Sequence, residues 1–182
     1  MKKYNLNDKV WSQFKISDLF NIHLSKVDNK ADGMKVGNIP LMSAGNVNNG
    51  VTAFVETETE NNPLFSKNKI TISMFGKVFY QPYNFLSVSH GRINILELKD
   101  YEMNAQLGMF LARVIENSLK DLFSYNRMCS SKRLSNQIIM LPVDDNEKPD
   151  WKFMENYIKE REGKQRSYLL TYLLTTKINY WV

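Results

Sequence analysis

The sequence predicts an α+β fold, with a mixed-sheet domain over residues 1–148 and a helical arm over residues 149–182. Three observations carry this reading. Residues 69–74 alternate polar and apolar, the period-two pattern of a strand with one buried face. From Met103 through Leu107, Phe110, Leu111, Val114, Ile115, Leu119 and Leu122, apolar residues recur at three- and four-residue steps. That spacing puts them on one stripe of a helix laid on a sheet. Asp150 then stands where a helix N-cap belongs, ahead of a long helical stretch.

Each element follows in order. The Asn-Gly-rich segment 46–50 is a turn, since Asn and Gly accept positive φ at low cost. Residues 51–55 (VTAFV) form a strand, as do 69–74. Gly76 and Lys77 interrupt the pattern and 78–81 (VFYQ) resumes it, which predicts a hairpin or bulge about Gly76. Residues 92–98 give another strand. After the amphipathic helix comes a polar stretch, 124–133. The apolar run 138–141, closed by Pro142, reads as a buried strand. Residues 144–149 form a loop leading to the last helix. There Trp151, Met154, Ile158, Tyr168, Tyr172 and Thr175 fall near heptad spacing, with Arg161 and Gln165 as polar seam positions. Apolar groups from Tyr168 through Leu169, Leu170, Tyr172, Leu173, Leu174 and Ile178 to Trp181 spread round much of the helix. Such a tail is expected to be covered by a second copy or a partner helix.

Composition bounds the function. The chain has 182 residues, 43% of them hydrophobic and 24% charged, enough to build a core and too apolar for intrinsic disorder. The single cysteine, Cys129, and two histidines, His23 and His90, argue against a disulfide within the chain and against a Cys- or His-rich metal centre. No apolar run approaches the ~20 residues of a membrane span, and no apolar stretch follows the N-terminal lysines as in a signal peptide. A soluble, cytoplasmic protein is expected. A net charge of +5 allows a polyanionic partner without requiring one.

Catalytic patterns fail on geometry. Pro149-Asp150 followed by Glu162-Gly163-Lys164 spells the PD…ExK string of magnesium-dependent nucleases. That chemistry needs the carboxylates to converge on one metal-bound water. On one helix they stand ~18 Å apart, at ~1.5 Å per residue. The sequence has neither the glycine-rich turn nor the Asn/Asp-Pro-Pro-aromatic loop of a methyltransferase, and no phosphate-binding loop. Ser43, Ser73 and Ser87 lie in no nucleophile elbow. Cys129 and His90 read as ordinary structural residues. A non-catalytic chain is expected, with no cofactor of its own.

Polar, aromatic and basic residues instead concentrate in three groups: Ser43, Asn46, Asn48 and Asn49; Lys77, Tyr80 and Gln81, with Tyr83, His90 and Arg92 beyond them; and Asn126, Arg127, Lys132 and Arg133. Asn and Gln can pair twice with adenine in the major groove, and Arg or Lys with guanine. Arg, Lys, Ser and Tyr also hold phosphates. On their own, the Asn-rich turns and surface charges are equally what a solvated face looks like. Together the three groups suggest duplex DNA as a partner, with Asn48 and Gln81 as candidate adenine contacts.

Five segments carry a resemblance. Residues 11–22 (WSQFKISDLFNI), 39–51 (IPLMSAGNVNNGV), 70–81 (ITISMFGKVFYQ), 134–143 (LSNQIIMLPV) and 149–154 (PDWKFM) are similar, in that order, to the target-recognition domain of type I restriction-modification specificity subunits. Similar domains occur in BcgI-like restriction enzymes. The resemblance spans residues 11–158. It implies a subunit that selects a DNA sequence and does no chemistry. It also implies an adenine methyltransferase subunit as partner and a restriction nuclease subunit beyond it, with S-adenosylmethionine, Mg and ATP on those partners. The family usually carries two recognition domains, and this sequence carries one. That implies a half-length subunit forming a homodimer through the C-terminal helix, or a fragment of a specificity subunit or of a fused restriction-methylation enzyme. A general nucleic-acid-binding or interaction module is the remaining alternative.

Overall fold

A computed structural model describes residues 3–25, 32–56, 64–88 and 93–178, with side chains to residue 175. The chain order is β1 (Trp11–Lys15), α1 (Ile16–Leu19), β2 (Phe20–His23), β3 (Val36–Met42), β4 (Val51–Val55), β5 (Lys69–Ser73), β6 (Val78–Gln81), β7 (Leu86–Ser87) and β8 (Ile93–Leu98), followed by α2 (Ala105–Leu119), α3 (Ser131–Ser135), β9 (Ile138–Pro142) and α4 (Trp151–Ile178). The strands make three small sheets. One is antiparallel, in the order β2-β8-β5-β6; one is mixed, in the order β4-β3-β7; and β1 pairs with β9.

The main core lies between the four-stranded sheet and α2. Ile70, Ile72 and Leu96 on the sheet meet Leu107, Leu111, Ile115 and Leu119 on the helix. Asn104 starts α2 by accepting a hydrogen bond from the Leu107 amide at 3.0 Å, satisfying one of the orphan donors of the first turn. The helix ends at Leu119, so Leu122, which continues the apolar spacing, lies beyond it. Lys120 leaves the helix with ψ 130°, and Asp121 follows in a left-handed conformation (φ 61°). Gly108 is where α2 touches the sheet: a Cβ there would stand 2.2 Å from Tyr80 Cδ2.

Two strands differ from their sequence reading. β5 is buried on both faces, not one: Thr71 and Ser73 are as hidden as Ile70 and Ile72. It is an inner strand of its sheet. Its polar residues stand opposite Ile95 and Ile93, which pack with Met42 and Phe85 in a second apolar cluster. β9, expected to be buried, is half-exposed. It pairs only with β1, turns Ile139 and Leu141 inward, and leaves Ile138 and Met140 about two-fifths exposed.

Asp150 caps α4, accepting from the Phe153 amide at 2.9 Å and pairing with Lys9 at 2.8 Å. The first turns of α4 lie in the main core through Met154. Glu155 accepts from Asn104 at 2.8 Å and from the Tyr101 hydroxyl at 3.1 Å. Gln106 donates to Glu162 at 2.9 Å, and the Tyr4 amide donates to Glu160 at 2.6 Å. From Lys164 to Thr175 every residue is exposed. Among the described residues no helix is long and apolar enough to cross a membrane.

Candidate nucleic-acid interface

The first group sits on the turn between β3 and β4. Asn48, Asn49 and Gly50 are all left-handed, with φ of 51°, 55° and 80°, a run that the Asn-Asn-Gly sequence tolerates. Ser43 and Gly50 close the turn with a backbone bond of 2.8 Å. Asn46 and Asn48 are exposed, and Ser43 is half-buried.

The second group holds the first in place. Asn49 Nδ2 donates to Tyr80 O at 3.0 Å and to Gln81 Oε1 at 3.1 Å. Gln81 Nε2 donates back to Asn49 O at 3.1 Å and to Thr71 Oγ1 at 2.8 Å. Gln81 is only 2% exposed, so it does not present its amide to a base as the sequence reading expects. Tyr80 is likewise structural: its ring packs on Gly108 and its hydroxyl donates to Asn68 Oδ1 at 2.5 Å. Burial raises the Tyr80 phenol above its ordinary pKa. Lys77, just past the positive-φ Gly76, reaches the surface but pairs with Glu116 at 2.5 Å. Tyr83 is exposed. His90 and Arg92 lie outside the described residues.

The third group is the most accessible. Asn126, Arg127, Lys132 and Arg133 are all exposed. Ser124 and Arg127 exchange backbone bonds of 3.0 and 3.2 Å, making a tight turn. Ser130 caps α3 by accepting from the Arg133 amide at 3.3 Å, and the Arg133 guanidinium donates to Met128 O at 2.9 Å. Arg127, Lys132 and Arg133 border one open concavity; Asn126 lies outside its lining.

The three groups run in series. Gly50 backs onto the Phe79 ring, linking the first to β6. The hairpin between β5 and β6 meets the third group's segment where a Gly76 Cβ would stand 3.0 Å from Phe123 and where the Cys129 amide donates to Met74 O at 2.8 Å. Cys129 itself is buried, and burial pushes its thiol up to about 12, far from a reactive thiolate. Between the first and third groups Asn46 and Lys77 share a second concavity with Arg113 and Lys120. The sequence reading missed those two. Their one signal is their place at the apolar stripe's edge, Arg113 on α2 outside the stripe and Lys120 just past the helix end.

Glu116 tempers that concavity. The Lys77 ammonium holds its carboxyl below the ordinary value of 4.5, with a smaller contribution from Arg113 at 3.0 Å. A depressed folded-state pKa contributes stability that is complete above the ordinary value and disappears as pH falls through the folded one. Glu116→Gln should therefore lower the urea midpoint at pH 7 and flatten its decline below about pH 4.5. The Lys77 side chain is 39% exposed and that of Arg113 70%, so screening keeps the effect near ~1 kcal/mol or less. A decline as steep as in the parent protein would show that other carboxylates govern the acid limb.

Among the described residues no three His, Cys, Asp or Glu side chains group to hold a metal. Asp150 and Glu162, the acidic pair of the nuclease-like string, are engaged with Lys9 and Gln106.

Residues 8–170 match the family model described as the type I restriction modification DNA specificity domain. The chain belongs to this family. It is 36% identical over 163 residues to the type II restriction enzyme specificity subunit S.BcgI of Heyndrickxia coagulans, covering 88% of this chain and 46% of that protein. Solved structures of specificity subunits share the fold. The type I S subunit from M. genitalium gives a TM-score of 0.58 at 15% identity, over 95% of this chain and 44% of the other. The HsdS subunit from Thermoanaerobacter tengcongensis gives 0.55 at 11% identity, over 86% of this chain and 38% of the other. This specificity domain thus spans less than half the length of the relatives it matches.

Proposed function

We propose that this specificity domain recognises a sequence in duplex DNA and does no chemistry itself. The observation that carries the reading is the match over residues 8–170, which takes in all three groups that run in series along the fold. Of the residues expected to touch DNA, Asn46, Asn48, Asn126, Arg127, Lys132 and Arg133 are exposed and suited to it. Ser43 and Lys77 are partly accessible. Tyr80 and Gln81 act from behind the loop, and Asn49, exposed on the turn itself, has its amide tied to them.

In this reading an adenine methyltransferase subunit supplies the chemistry with S-adenosylmethionine, and a nuclease subunit joins with Mg and ATP. The setting is cytoplasmic. The exposed distal part of α4 pairs with a second copy, giving two recognition domains and a two-part, palindromic target.

The test is selection from a pool of random duplexes, using the purified protein with its methyltransferase subunit. An enriched motif is expected. Binding without enrichment would overturn base recognition in favour of a general polyanion-binding module. Methylation or cleavage by the pure chain alone, lost on Asp150→Asn or Glu162→Gln, would overturn the non-catalytic assignment.

A further inference from the structure

Asn49 and Gln81 stand 32 residues apart in sequence, yet each amide donates to the other residue. The same two groups tie the turn to β6 through Tyr80 O and to β5 through Thr71 Oγ1, itself buried. A buried amide with both ends paired specifies one arrangement and penalises others. What it specifies is the left-handed run of Asn48, Asn49 and Gly50. That run is further held by Gly50 N donating to Val47 O at 2.9 Å and Ser43 N donating to Gly50 O at 2.8 Å.

Above the tie the surface is different in kind. The side-chain amides of Asn46 and Asn48 have no hydrogen-bond partner among the described residues. Val47 between them is 69% exposed. Two free amides around one exposed branched apolar group match the edge of an A·T pair in the major groove, with its acceptor, donor and methyl group. Such a loop gains affinity from being formed in advance, because less ordering accompanies binding.

We propose that Asn49 and Gln81 are positioning residues that hold Asn46, Val47 and Asn48 as a pre-formed reading head for base edges. The inference rests on the DNA-recognition function proposed above and adds which residues set discrimination without touching a base.

The test compares the full chain with Asn49→Gly, which keeps left-handed freedom but removes the amide, and with Gln81→Met, which keeps the volume. Two readouts are taken. One is amide hydrogen exchange at Ser43 and Gly50. The other is affinity for the selected duplex against a scrambled duplex of the same length. Both variants should exchange at least tenfold faster at Ser43 and Gly50, with β8 unchanged. Both should lose at least tenfold on the selected duplex and nothing on the scrambled one, at an unchanged salt slope. Equal losses on both duplexes would reduce the pair to general scaffolding. Unchanged discrimination in a folded Asn49→Gly would overturn the positioning role alone. A parent protein that binds both duplexes equally would instead overturn the recognition function, and the reading head with it.

Discussion

Changing Leu170 and Leu173 together to aspartate should turn a self-associating protein into a monomer. Tyr168, Leu169, Leu170, Tyr172, Leu173 and Leu174 are each between 49% and 65% exposed. At about 100° per residue they span roughly 240° of the helix surface, wider than one packing face. Monomers rarely leave a continuous apolar patch of that kind in water. The proximal turns are fixed to the body through Met154, Glu155, Glu160 and Glu162, so the distal turns are held in a set direction and cannot fold back to cover themselves. A second copy covers the patch most economically, since a two-fold contact uses the same surface twice. Leu170 and Leu173 are each 55% exposed, so covering one contributes on the order of ~1 kcal/mol, and two substitutions remove four leucines from a two-fold contact. The loss corresponds to ~1000-fold in association. Sedimentation of the free protein at tens of micromolar measures it. A monomeric parent, insensitive to both substitutions, would leave the arm for a methyltransferase subunit alone. A dimer whose selected site is not palindromic would mean that the two copies do not present their loops symmetrically.

The second large effect is expected at the basic concavity. Lys132→Ala with Arg133→Ala should weaken binding to every duplex alike and make the dependence of log affinity on log salt shallower by about 1.8. Each neutralised phosphate contributes ~0.9 to that slope on B-DNA. The fold should survive the change. α3 is capped by Ser130, and the two side chains are exposed, with only the Arg133 bond to Met128 O lost. An unchanged slope would show that these charges face solvent in the complex. A loss confined to the selected duplex would make them base readers instead.

These expectations differ in how far they depended on the folded chain. The alternation over 69–74, the three-and-four spacing over 103–122 and the cap at Asp150 are local signals, because backbone periodicity and capping involve neighbours within a few residues. They placed β5, the start of α2 and the start of α4 within a residue or two, and ran three residues past the end of α2 at Leu119. The exposed basic turn at 124–133 was equally legible, since three charges so close together in a polar stretch find no common buried partner. The order of the five family-like segments by itself points to specificity domains, the family whose model matches residues 8–170.

Burial and partnership were decided at longer range. Gln81 closes the run VFYQ beside a break at Gly76, and a glutamine there reads as a candidate base contact. It is buried because the fold brings Asn49 and Thr71 to its two ends. Thr71 and Ser73 read as the wet face of β5 until β8 carries Ile93 and Ile95 alongside them into a second apolar cluster. Residues 138–141 read as wholly buried until β9 proves to pair on one side only. Gly108, which no local pattern singles out, is needed because Tyr80 lies against it. Local pattern thus determined β4, β5, β6, β8, β9, α2 and α4, because their side-chain periods are set by the chain itself, whereas β1, β2, β3, β7, α1 and α3 were not read from it. Tertiary structure decided which polar groups are free to meet DNA, because a group's freedom depends on what the rest of the fold places within about 3 Å of it.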